Sequence, residues 1–93
     1  MRRIGRTGQF KRDFKREQRG RYAAQLTSLL PEVIGRLAQD EELPARFKDH
    51  NLSGDWSDHR ECHIKPDLLL IYRKPDEHVL QLVRMGSHAE LFG

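Results

Sequence analysis

Residues 64–83 read Ile64-Lys65-Pro66-Asp67-Leu68-Leu69-Leu70-Ile71-Tyr72-Arg73-Lys74-Pro75-Asp76-Glu77-His78-Val79-Leu80-Gln81-Leu82-Val83. The run Leu68 to Arg73 is apolar enough for a central strand, and turn residues flank it: Ile64 to Asp67 before, Pro75 to Glu77 after. Val79, Leu80, Leu82 and Val83 then make a further strand, and Trp56 to His63 alternates like an earlier one. Tight turns between successive strands predict antiparallel hairpins, so the C-terminal half reads as a meander.

Upstream the period changes. Tyr22, Leu26, Leu29, Leu30, Val33, Ile34 and Leu37 recur at steps of three and four, which predicts an amphipathic helix. Pro31 implies a kink or a fresh helix start within it. Thr7 suits a helix N-cap, Phe10 and Phe14 share one helical face, and Gly20 ends or interrupts that first helix. A short strand precedes it, around Arg2 to Arg6, and residues 40–44 read as an exposed loop. The expectation is an α+β fold, an N-terminal helical pair packed on one face of a small antiparallel sheet, with residues 1–93 as one domain.

Composition narrows the function classes. Lys and Arg number 17 against 14 Asp and Glu. Residues 1–21 hold nine of those cations and only Asp13 and Glu17 in opposition, a basic end suited to phosphates or to an acidic protein. The single cysteine, Cys62, rules out an internal disulfide and points to a reducing compartment, the cytoplasm. No apolar run reaches a membrane span or follows the N-terminal charges as in a secretory signal.

Five histidines are the first suspects for proton transfer near neutral pH. His78 sits in a polar hairpin tip, and His59 shares a strand face with positions 61 and 63 but reads as a bystander. His50 ends a loop entering the sheet, His63 ends the first meander strand with Asp67 across the turn, and His88 follows the last strand after Gly86. Strand ends of this kind can converge at one edge. Nothing matches G-x-S-x-G, a P-loop or a dinucleotide fingerprint, and Cys62 lies mid-strand, a weak nucleophile candidate. The histidines lack paired zinc-ligand spacing, so no metal or other cofactor is expected.

Three ordered blocks carry a family resemblance. Lys48-Asp49-His50-Asn51-Leu52-Ser53-Gly54-Asp55-Trp56 resembles the K-D-H-x-L-x-G-x-W segment of the YafQ toxins, a branch of the RelE/ParE superfamily. Arg60-Glu61-Cys62-His63-Ile64 with Pro66-Asp67 and Leu70-Ile71-Tyr72 is similar to their R-[DE]-x-H-[IV]-x-P-D and L-I-Y block. Arg84 to Phe92 is similar to R-x-G-[ST]-H-x-x-L-F. The sequence departs from the pattern at Asn51, where proline is common, at Leu68, where tryptophan often stands, and at Met85, in place of threonine.

The resemblance implies a bacterial toxin of a type II toxin–antitoxin system: a ribosome-dependent mRNA endonuclease, neutralised by a cognate antitoxin protein. It implies catalysis by His50, His63, Asp67 and His88, with Arg84, Arg60, Lys48 and Phe92 contacting RNA or the transition state. RNA supplies its own nucleophile, the 2′-hydroxyl, so metal-free cleavage needs a base, an acid and positive charge. His50 and His88 are expected to share the proton transfers in either order. His63 and Asp67 tune them, or Asp67 itself transfers a proton. Phe92 stacks on a base or anchors the C-terminus in the core, and Trp56 packs. The competing readings are a non-catalytic RNA- or ribosome-binding module, and a superfamily member poisoning another target.

Overall fold

A computed structural model describes residues 1–93. Strand β1 (Arg3–Arg6) is followed by helices α1 (Gly8–Glu17) and α2 (Ala23–Ala38). Strands β2 (His50–Asn51), β3 (Arg60–Lys65), β4 (Leu68–Asp76) and β5 (Val79–Gly86) then lead into a short helix α3 (His88–Phe92). The strands form one sheet in the order β1-β5-β4-β3-β2.

Strands β2 to β5 pair antiparallel, as the turn residues predict, whereas β1 runs parallel to β5, with Ile4 beside Leu80. The sheet is therefore mixed rather than purely antiparallel. No hairpin constrains β1: both helices intervene before its partner, so either direction is open to it.

Alternation sorts the two faces. Cys62, Ile64, Leu68, Leu70, Tyr72, Leu80, Leu82 and Met85 form a core with Phe10 of α1 and Leu26, Leu30, Val33, Leu37 and Ala38 of α2. The opposite face has a smaller cluster, Leu69 and Ile71 under Leu91 of α3, with Leu52, Trp56 and Val83 around it. Buried on both faces, β4 has the unbroken apolar run from which the sheet was read.

Thr7 caps α1, its hydroxyl accepting from the Phe10 N–H at 2.9 Å. The chain breaks between the helices at residues 18–22, around Gly20. Helix α2 then runs unbroken through Pro31, contrary to a restart there. Proline in a helix interior costs about 3 kcal/mol; five buried side chains along α2 offset it. An open groove of about 660 Å³ separates the two helices, with Phe10, Phe14, Leu26 and Ile34 lining it beside Lys11 and Lys15.

Two local expectations are corrected. Residues 56–59 are not strand: Gly54, at φ 65°, starts a 3-10 turn ending at Trp56, and β3 begins only at Arg60. The β4–β5 turn lies at Glu77–His78, not at Pro75 to Glu77. Pro75 stays within β4, where it cannot donate, and the register slips between Arg73 and Asp76.

Candidate active site

The face opposite the large core carries the histidines. Lys48 takes a left-handed conformation, φ 49°, and swings the chain into β2. There His50 pairs in register with Glu61 of β3, and alternation puts His63 on Glu61's side of the strand. The His50 Nδ1 lies 2.6 Å from the Lys48 carbonyl oxygen. A carbonyl only accepts, so Nδ1 carries the donated proton and Nε2 is the ring nitrogen left free of it.

That nitrogen faces Glu61. The Glu61 Oε1 lies 3.5 Å from His50 Nε2 and 3.3 Å from His63 Nε2, and the two rings stand 6.1 Å apart. The Glu61 side chain is 3% exposed, and its Oε2 is buried without a hydrogen-bond partner. A buried carboxylate oxygen left unpaired is costly, and the two imidazoles are the polar groups that face this carboxylate. Glu61 was not singled out from sequence, although the R-[DE]-x-H block includes an acid at this position and the two-residue period groups it with His63. His50, Glu61 and His63 offer three ligand atoms within 4.8 Å of one another, a nitrogen–nitrogen–oxygen set suited to a zinc or copper ion.

His88 is the first residue of α3 and is exposed. Its ring lies 5.1 Å from that of Phe92, which meets Trp56 edge-on at 6.3 Å. Leu91 packs on Leu69 and Ile71, so it, rather than Phe92, anchors the C-terminus. Phe92 stays 39% exposed. Leu69 is the register partner of both His63 and Gly86. Helix α3 and the His50–Glu61–His63 group therefore sit side by side on one sheet face, without a direct bond between His88 and the other two histidines.

The remaining expected residues are spread more widely. Asp67 occupies the exposed β3–β4 turn and pairs with Arg21 at 3.3 Å rather than with a histidine. The Arg60 guanidinium contacts Asp49, Tyr72 and Asn51, and Tyr72 donates to Asp49; this network braces the segment preceding His50. Burial disfavours the Arg60 charge, but the bonds to Asp49 and Tyr72 outweigh it and raise its pKa. Lys48 contributes through its carbonyl. Arg84 donates from Nε and Nη2 to the two oxygens of Asp13 of α1, at 2.8 and 3.2 Å. Burial alone would push the Asp13 carboxyl up; hydrogen bonds from Arg84, the Met85 N–H and Gln9 reverse this and hold it below the ordinary value.

The other two histidines lie outside the His50–Glu61–His63 group. Burial, then Arg73, holds the His59 pKa below its ordinary value, and its ring packs edge-on against Trp56 at 5.1 Å. His78 is exposed at the hairpin tip. Burial pushes the Cys62 thiol far up, removing it as a nucleophile.

The family model described as "Bacterial toxin of type II toxin-antitoxin system, YafQ" matches residues 2–93. The mRNA interferase toxin YafQ of Escherichia coli K12 is 39% identical over 88 residues, covering 94% of this chain and 91% of the relative. A copper-bound mutant toxin from Helicobacter pylori superposes with a TM-score of 0.90 at 41% identity, over 99% of this chain and all of the other. A chain of the E. coli DinJ–YafQ complex gives 0.81 at 37% identity, with both chains fully covered.

Proposed function

The chain belongs to the YafQ family of type II toxin–antitoxin toxins, and on that footing we propose that residues 1–93 act as an mRNA endonuclease that cuts on the ribosome without a metal. The observation that carries this reading is one sheet face bearing His50, Glu61 and His63 beside the helix of His88 and Phe92. The E. coli relative's name makes it an mRNA interferase.

The reaction we assign is transesterification. The RNA 2′-oxygen attacks the adjacent phosphorus as a base removes its proton. The bond from phosphorus to the 5′-oxygen breaks, and an acid protonates that oxygen. The products are a 2′,3′-cyclic phosphate and a 5′-hydroxyl. His50 and His88 take the two proton transfers, in an order left open. Glu61 holds His50 and His63 in orientation. Asp67 keeps the tuning role implied by the resemblance; its pair with Arg21 is exposed and weak. Asp13 occupies Nε and Nη2 of Arg84 and leaves Nη1 for the phosphorane. Phe92 stacks a nucleobase, with Trp56 as its support. Lys48 and Arg60 add positive charge along the RNA path.

The Helicobacter toxin was crystallised with copper. In this chain His50, Glu61 and His63 would hold such an ion, which would supply Lewis acidity there. It would also block the imidazole nitrogens that the acid–base reading needs, so we assign it as an inhibitor.

The E. coli relative was crystallised with DinJ, and we propose that a cognate antitoxin neutralises this chain too. Lys11 and Lys15 beside the interhelical groove suit an acidic partner. No helix is long and apolar enough to cross a membrane; we place the toxin in the bacterial cytoplasm, with the ribosomes.

A reconstituted translation system tests the reading. Cleavage of mRNA only when ribosomes are present is expected. Intact mRNA with translation still arrested would refute cleavage and favour a binding module.

A further inference from the structure

Helix α3 has five residues, far below the roughly 12–15 at which an isolated helix becomes even marginal in water. Something must hold it. Its capping box is internal: the Ser87 hydroxyl accepts from the Glu90 N–H at 3.1 Å, and Glu90 Oε1 accepts from the Ser87 N–H at 2.8 Å. Leu91 supplies an apolar anchor, and Phe92 touches Trp56. One apolar anchor sets depth but leaves rotation about itself.

A single ion pair joins residues 87–93 to the rest of the chain: Arg16 Nε, which donates to Glu17 at 3.0 Å, also lies 3.1 Å from Glu90 Oε2. Arg16 is held in turn at both ends. Its Nη2 donates to the Met85 carbonyl at 2.8 Å, and its Nη1 donates at 3.2 Å to Asp13, whose side chain is wholly buried. The guanidinium passes so close over Gly86 that a Cβ there would sit 2.7 Å from Arg16 Nη2 and 3.0 Å from Glu90 Oε1. Only glycine leaves this passage open.

We infer that Arg16 and Glu90 are positioning residues for cleavage: a strut from α1 across Gly86 that fixes the rotation of α3 and hence the placement of His88 and Phe92. The inference rests on His88 and Phe92 acting in the reaction, as proposed above. Exposed ion pairs contribute little to stability, so the strut shows in geometry rather than in melting temperature. A misplacement of 1 Å can cost about 100-fold in rate.

The test uses Arg16→Met, Glu90→Gln, their double variant and Gly86→Ala, with His88→Ala as reference. Glutamine at 90 can still accept from the Ser87 N–H but loses the charge that draws Arg16. Alanine at 86 displaces Arg16 without removing any group. Single-turnover cleavage on ribosomes should fall about ten-fold or more in each, in kcat rather than KM, and the double variant should be no slower than either single one. Amide exchange at Glu90 to Phe92 should accelerate in all four, and in Glu90→Gln, which leaves the Asp13 bonds intact, the melting temperature should hold. Wild-type cleavage in Arg16→Met and Glu90→Gln, with His88→Ala inactive, would overturn the strut alone. Undiminished cleavage in His88→Ala would overturn the underlying role of His88 and with it the strut's catalytic purpose. Unchanged α3 exchange in Arg16→Met would overturn the strut whatever the cleavage result, and an Arg16→Met that fails to fold leaves Gly86→Ala and Glu90→Gln to decide.

Discussion

Replacing Asp13 by Asn should destabilise the fold far more than a helix-face substitution normally does. The Asp13 side chain is fully buried and accepts from five donors: Gln9 Nε2, Arg16 Nη1, Arg84 Nη2, Arg84 Nε and the Met85 N–H. An amide in its place turns one acceptor into a donor. In the orientation that keeps Oδ1, the new NH2 confronts Arg84 Nε and the Met85 N–H; flipped, it confronts the other three. Leaving a buried ion pair with one partner costs about 3–5 kcal/mol. Arg84 is 22% exposed and Arg16 40%, so water relieves part of this and the lower end applies, about 3 kcal/mol. A domain of this size loses roughly 4–8 °C of melting temperature per kcal/mol, giving a drop of about 12–24 °C at pH 7. The pH dependence is fixed in sign. The folded-state pKa of Asp13 is depressed, so its stabilisation is fully present above the unfolded value near 3.9 and fades as pH falls through the folded one. Calorimetry of both proteins from pH 7 to pH 2.5 should show the gap narrowing toward acid. A drop under about 5 °C, or a gap independent of pH, would refute this account of how α1 is fixed to β5.

Other consequences concern the site. Glu61→Gln should reduce cleavage by about 10- to 100-fold without unfolding the chain, and wild-type rates would remove Glu61 from the site. Copper(II) should bind the wild type and inhibit cleavage, with His63→Ala losing measurable binding by calorimetry; unaltered binding would place the ion elsewhere. Phe92→Ala should forfeit about 1–3 kcal/mol of stacking, read as weaker mRNA engagement at unchanged melting temperature, and unaffected binding would return Phe92 to a packing role. Iodoacetamide should leave native Cys62 unmodified at pH 8 and label it in urea, and rapid native labelling would contradict its burial.

The meander was legible because Leu68 to Tyr72 is apolar without interruption and turn residues bracket it. The parallel pairing of β1 was not, since four residues cannot declare a partner more than 70 positions away. Helix α3 escaped notice for its brevity, although Ser87-His88-Ala89-Glu90 carries the capping-box spacing. Trp56 looked strand-like by alternation; Gly54 and its positive φ decided otherwise. At the site, the histidine types and positions could be read from the motif blocks, but Glu61 between two of them needed the register of β2 against β3. Arg84 reads in sequence as a cation for RNA, and only tertiary pairing reveals that a buried aspartate already holds two of its nitrogens.

The most direct test of the proposed mechanism is the chemistry of the cut ends. Labelled mRNA is cleaved on purified ribosomes, chelator is added at a level that preserves ribosome integrity, and the fragment termini are analysed by mass. A 2′,3′-cyclic phosphate and a 5′-hydroxyl, formed at an undiminished rate with chelator and lost in His50→Ala and His88→Ala, is the predicted result. A 3′-hydroxyl with a 5′-phosphate, or cleavage that stops when metal is withdrawn, would contradict it.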